Sequence, residues 1–269
     1  MTRLLFLLLL CLPLAGRADA PTPQRVVSLN LCTDQLLLML LPRERIAMLS
    51  QLATDRSLSW VAGQAGGIAR FDGSVERIVQ LEPELILAGT LASRDSIDAL
   101  QRLGYPVHTI AMPETIADTL AFIEQVAALV GEPAAGRALI DRTTHRLEAA
   151  RSASRTRTPG LALIYLPNGL SPGAGTLKDE LLALTGWRNL ARERGVEGYG
   201  SIALEDLVLH RPQLVIFDAV DLEHTSMAQQ LLRHPALRRH VATRTIPTAT
   251  WICGGPQIAE AAEALASDP

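Results

Sequence analysis

Glu76-Arg77-Ile78-Val79-Gln80-Leu81-Glu82-Pro83-Glu84-Leu85-Ile86 and Glu205-Asp206-Leu207-Val208-Leu209-His210-Arg211-Pro212-Gln213-Leu214-Val215 share one pattern. Each runs from a glutamate through six residues to a proline, then one residue, then two apolar residues. The first part reads as a helix, the proline as a turn, and the apolar pair as the start of a buried strand. A second echo pairs Asp34-Gln35-Leu36-Leu37 with Asp179-Glu180-Leu181-Leu182, each opening a helix after the first strand of its half. Two echoes in matching order predict two homologous lobes.

Around these stretches, short apolar strands alternate with helices. Strands are expected at 26–29, 46–49, 85–88 and 107–110, and again at 161–165, 214–217 and 244–246. Helices are expected at 34–41, 74–81 and 96–103. Strands separated by helices imply parallel crossovers and an α/β fold with parallel sheets. Residues 114–153 read as helical, broken at Gly131-Glu132-Pro133. Pro133 suits a helix's first turn, where a missing N–H costs nothing. The helix it opens, 133–151, is about 28 Å long at 1.5 Å per residue. The expected division is a leader at 1–20, a first lobe at 21–131, a linker helix at 132–152 and a second lobe at 153–269.

The leader follows from the first residues. Arg3 is followed by an apolar run from Leu4 to Leu12, then Pro13 and the small residues Ala15, Gly16, Ala18 and Ala20. That run is about half the roughly 20 residues a bilayer-spanning helix needs, so it reads as a cleaved secretory signal. Ala18-Asp19-Ala20 fits the cleavage rule, although Pro21 makes cleavage after Ala18 an alternative. Cys11 is a poor lipidation site, because Leu10 stands where a small residue is expected. Downstream there is no second long apolar stretch, so the exported chain is expected to be soluble. Its 269 residues are 48% hydrophobic and 20% charged, with a formal net charge of -3. This composition fits a packed globular protein and disfavours a nucleic-acid partner, which calls for a basic face.

In a parallel α/β lobe, ligands meet the loops at the carboxyl ends of the strands. Two lobes joined by one helix set those loops face to face. The candidates are 30–33, 51–56, 71–73 and 89–91 in the first lobe, and 166–176, 198–200 and 250–255 in the second. Aromatic residues make up only 4% of the chain. Trp60, Phe71, Tyr165, Tyr199 and Trp251 fall at or near these loops and offer flat faces to a large, partly apolar guest. The alternative for each is a plug that fixes its loop to the core. Asn30 lies in the first of these loops. Thr176 with Asp179 has the form of a helix N-cap. Cys32 and Cys253 also fall in cleft loops; each reads as a small buried residue, with an inter-lobe disulfide or a ligand contact left open.

Catalytic patterns are poorly supported. The six histidines are scattered with no HExxH spacing. There is no GxSxG, no GxGxxG, no phosphate-binding loop and no CxxC.

The mature chain resembles the class III periplasmic binding proteins of ABC importers, the cobalamin and iron-chelate receptors. The resemblance runs through most of residues 24–265. It rests on Arg25-Val26-Val27-Ser28-Leu29, on Ser74-Val75-Glu76-Arg77-Ile78 leading to Pro83-Glu84-Leu85-Ile86, and on residues 201–216. It implies two Rossmann-like lobes joined by one long helix, with limited closure. It further implies a monomeric periplasmic protein, not an enzyme, that delivers a small-molecule metal chelate to an inner-membrane permease. The metal is expected within the ligand, with no cofactor and no dedicated protein metal site. By motif position, Glu76 and Glu205 are the acidic residues that dock on the permease. Tyr199 and Phe71 stand just ahead of these segments, where the cobalamin receptors place a stacking aromatic. This favours a corrinoid, then a ferric siderophore, then haem. An exported hydrolase or a two-lobed sensor is the alternative from another class.

Overall fold

The computed structural model describes residues 22–90, 93–156, 158–220 and 241–267. The expected leader, with its cleavage positions and Cys11, lies outside the described residues, as does Leu91 of one expected cleft loop.

The first sheet has five strands: β1 (Val26–Ser28), β2 (Ile46–Leu49), β3 (Ala69–Arg70), β4 (Leu85–Gly89) and β5 (Val107–Ile110). All are parallel, in the order β3-β2-β1-β4-β5. The second half contributes β6 (Gly160–Ile164), β7 (Leu170–Pro172), β8 (Trp187–Asn189), β9 (Tyr199–Ser201), β10 (Leu214–Asp218) and β11 (Ala242–Ile246). Four of these form a parallel sheet in the order β11-β10-β6-β8. β7 and β9 pair separately and antiparallel.

The duplication read from the sequence is present in this topology. The order β2-β1-β4-β5 of the first lobe repeats as β8-β6-β10-β11 in the second. The proline turns repeat in detail: Glu82 and Arg211, each just before the proline, both have φ 46°. Left-handed backbone costs an ordinary residue roughly 1 kcal/mol or more. Its presence at both sites is therefore a shared feature of the turn. β4 and β10, which follow, are buried along their whole lengths, as expected of parallel strands covered on both faces.

Helices cover the sheets. The first lobe carries α1 (Leu31–Leu40), α2 (Val75–Gln80), α3 (Arg94–Arg102) and α4 (Ile116–Leu129). α5 (Pro133–Ala153) connects to the second lobe, where α6 (Leu177–Leu184), α7 (Leu190–Glu193), α8 (Leu204–His210) and α9 (Ile258–Ala266) follow. α1 begins three residues earlier than the apolar run suggests. The Asn30 side chain caps it, accepting hydrogen bonds from the N–H groups of Cys32 and Thr33. Ser74, Thr115 and Thr176 cap α2, α4 and α6 in the same way.

α5 opens with Pro133, as expected, and its two ends serve different cores. Leu139 joins the first lobe's cluster, with Leu37 and Val126. Leu147 and Ala150 join the second lobe's, with Leu181 and Ile258. α5 is also not a bare rod. Gly136 lets it lie so close to α4 that an added Cβ would strike the Ala127 side chain.

Further links tie the lobes together. Cys32 in α1 forms a disulfide with Cys253 beyond β11. Of the readings open for these cysteines, the inter-lobe bond is the one found, and both residues are also buried. The indole N–H of Trp60 donates to Glu260 at 2.9 Å, and the N–H of Ile116 donates to Glu180 at 2.7 Å. No helix among the described residues is long and apolar enough to cross a membrane.

Candidate functional site

A cavity of about 260 Å³ lies between the lobes. The first-lobe wall is Met112, Pro113 and Glu114, which follow β5. The second-lobe wall comes from three loops: Gly175–Lys178 after β7, Gly198–Tyr199 at β9, and Trp251–Gly254 after β11. These second-lobe segments fall in the loops named from the sequence, apart from Leu177 and Lys178. The first-lobe wall does not: it lies after the last strand of its sheet, where no loop was singled out.

Three residues meet at one side of the cavity, and two of them, Lys178 and Trp251, line it. Asp218 ends β10, beside the point where the strand order turns from β6, the usual place for a ligand in an α/β sheet. Its two oxygens are shared out. One accepts from Lys178 Nζ at 2.6 Å, and the other accepts from the Trp251 indole N–H. The Lys178 ammonium also stands 4.4 Å from the centre of the Trp251 ring. All three side chains are buried. Buried opposite charges hold each other when hydrogen bonds complete the pair, and the tryptophan N–H supplies one here. The trio therefore fixes the angle of the Trp251 ring, which is only 2% exposed although it lines the cavity.

Tyr199 stands at the mouth, 56% exposed. Burial pushes its hydroxyl pKa up, and the charges of Asp218 and Glu114 push it further in the same direction. At the mouth Tyr199 can offer a guest both its ring face and its hydroxyl. Gly254 closes the opposite edge. A Cβ there would strike the Pro113 ring and come 2.7 Å from Thr119 Oγ1, so the lobes touch beside the cavity.

Tyr199 and Trp251 are brought together at this cavity; the other five residues named from the sequence are placed elsewhere. Asn30 caps α1 and presses on Gly89. Cys32 is consumed in the disulfide. Trp60, 38% exposed, lines a separate depression beside α5 with Arg142 and Arg146. Phe71 packs on the outer core of the first lobe. Tyr165, 1% exposed, lies in the second lobe's core with Phe217. Of these five, Phe71 and Tyr165 pack on apolar cores, while Asn30, Cys32 and Trp60 are held by a cap, a disulfide and a hydrogen bond to Glu260. Glu76 and Glu205 are exposed at equivalent places, the second residue of α2 and of α8.

Lys178, Asp218, Met112 and Glu114 were not singled out from sequence. Two signals pointed to the first pair. Asp218 ends an otherwise wholly apolar strand. Lys178 sits in a helix's first turn, where the helix dipole disfavours a cation. Among the described residues no group of three or more histidine, cysteine or acidic side chains is placed to hold a metal ion.

Two parallel-sheet lobes with a cavity between them, lined at strand ends, define a two-lobed ligand-binding protein. A family profile described as periplasmic binding protein matches residues 26–246, and the chain belongs to that family. A curated relative, the "Cobalamin-binding protein" of Halobacterium salinarum, is 23% identical over 197 residues, 72% of this chain and 53% of its own length. The chain thus spans about half the length of the curated relatives it matches. Among solved structures, the periplasmic heme-binding protein RhuT from Roseiflexus sp. RS-1 in apo form superposes with a TM-score of 0.73 at 21% identity, over 90% of this chain and 98% of that one. The periplasmic vitamin B12 binding protein BtuF of Vibrio cholerae gives 0.68 at 15% identity, over 91% and 96%. These likenesses show the fold.

Proposed function

We propose that the chain captures a metal chelate between its lobes in the periplasm and, as a monomer, delivers it to an inner-membrane ABC importer. The observation that carries this reading is the inter-lobe cavity with Tyr199 at its mouth. Membership in a family of binding proteins supports it over the hydrolase alternative. The metal arrives inside the guest, and the protein contributes ring faces and hydrogen bonds.

A corrinoid fits first. The relative in Halobacterium salinarum is named for cobalamin. Tyr199 fits the same choice, because its ring stands more than half exposed at the mouth of the cavity. Tyr199 then serves as a stacking face. The cavity is smaller than the roughly 300–1,000 Å³ of a site that encloses a drug-sized ligand. It takes one edge of a macrocycle while the rest projects from the mouth. Haem is the second reading, favoured by the naming of the Roseiflexus structure.

The test is to mix the purified protein separately with cobalamin, a ferric hydroxamate and haemin, remove free ligand by gel filtration, and record the visible spectrum. A cobalamin spectrum co-eluting near one equivalent supports the first choice. A colourless protein after all three removes the chelate-receptor reading.

A further inference from the structure

The charges around the cavity are unbalanced in a way that bears on which guest it admits. On the second-lobe side the Lys178 ammonium, a donor of several hydrogen bonds, is neutralised by Asp218 at 2.6 Å. On the first-lobe side Glu114 is exposed at the cavity wall and has no ion-pair partner among the described residues. Among the described residues the lining therefore carries one cation, Lys178, and one carboxylate, Glu114, and the Asp218 carboxylate bonded to Lys178 leaves the described charges net negative. The lining still presents both kinds of hydrogen-bonding group: N–H donors on Lys178 and acceptor oxygens on Glu114. The raised pKa of Tyr199, to which both Asp218 and Glu114 contribute, reports the same field at the mouth.

We infer that this cavity seats an uncharged primary carboxamide arm of the guest, its carbonyl accepting from Lys178 and its NH₂ donating to Glu114, and that it discriminates against the same arm as a carboxylate. The inference rests on the reading of the cavity as a chelate site. A carboxamide is both acceptor and donor, so it satisfies both walls without adding charge. A carboxylate has no proton to give Glu114 and brings a like charge near it; Lys178 cannot offset this, because Asp218 already holds its charge. A site built for acids would need a free arginine or lysine at this wall. The selected class is therefore an amidated tetrapyrrole, as opposed to its carboxylic-acid precursor.

Two matched pairs test this: dicyanocobinamide against dicyanocobyrinic acid, and haemin bis-amide against haemin, each titrated by absorbance at neutral pH. Within a pair the ring and metal are constant and only the arms differ. The amide member should bind about tenfold tighter or more, the size expected of one poorly screened like-charge contact. Glu114→Gln keeps an acceptor oxygen and removes the charge. It should collapse the amide-over-acid preference to about twofold or less, by strengthening binding of the acid and weakening binding of the amide, and an unaltered preference would overturn the inference. Equal or tighter binding of the acid in whichever ring binds overturns the inference and leaves the receptor reading standing. An amide preference seen only with the haemin pair upholds the inference and removes the corrinoid choice. Binding by neither pair overturns the inference and the corrinoid and haem choices, and leaves the receptor reading to the ferric hydroxamate alone.

Discussion

Cys32 and Cys253 are 221 residues apart in the chain and bonded to each other across the two lobes, with their Cα atoms 5.3 Å apart. The bond lies next to the site: Ile252 and Gly254, on either side of Cys253, both line the cavity. The second-lobe wall is thereby tied to the first residues of α1. Closing so long a loop constrains the unfolded chain, and the loop-entropy account assigns such a crosslink about 5 kcal/mol. A Cys32→Ser/Cys253→Ser variant should lose stability of that order in guanidinium unfolding, and added reductant should do the same to wild type but not to the variant. Identical midpoints with and without reductant would show the bond to be dispensable.

Glu76 and Glu205 occupy matching exposed positions on the two lobes, both away from the cavity. Reversing either, as Glu76→Lys or Glu205→Lys, should leave ligand affinity unchanged and reduce transport in a reconstituted importer, with the double variant worst. Full uptake by both single variants would withdraw the docking assignment.

Gly254 has no room for a side chain against Pro113 and Thr119. Gly254→Ala should push the two walls apart. Expected are a stability loss of roughly 1–3 kcal/mol, the usual cost of overpacking, and a several-fold fall in guest affinity. Calorimetry measures both. A variant with unaltered affinity would mean that the wall beyond Cys253 does not set the fit.

Asp34 is fully buried beside Ser28 and Ser50, and burial pushes its pKa from 3.8 up to about 7 against the opposing hydrogen bonds. The folded protein therefore keeps a proton that the unfolded chain releases. The stability this confers is complete below about pH 4 and is lost as pH rises towards 7. Asp34→Asn removes the titration. In urea unfolding between pH 4 and 8, wild type should lose up to a few kcal/mol relative to the variant. Parallel pH curves would contradict the assignment.

The fold was largely legible because its signals are local. A proline turn feeding an apolar strand marks both β4 and β10, and the break at Gly131-Glu132-Pro133 marks the start of α5. What escaped were elements held by their neighbours. β3 is two residues long, and β7, β8 and β9 three each, too short for any periodicity to show. The site divides along the same line. Tyr199 and Trp251 could be found because scarce aromatics in expected loops stand out. Tyr165 and Phe71 stood out equally and went to cores, since sequence does not say which side of a loop faces inward. Lys178 and Asp218 are 40 residues apart and meet only when α6 folds back over the end of β10.

The central claim is that the space bounded by Met112–Glu114, Lys178, Tyr199 and Trp251 is where the guest sits. A crystal structure grown with dicyanocobinamide tests this most directly. The account predicts the ring edge between the lobes, stacked on Tyr199, with one amide arm between Lys178 and Glu114. A guest lodged elsewhere, such as the depression beside Trp60, with this cavity left as it is, would contradict it.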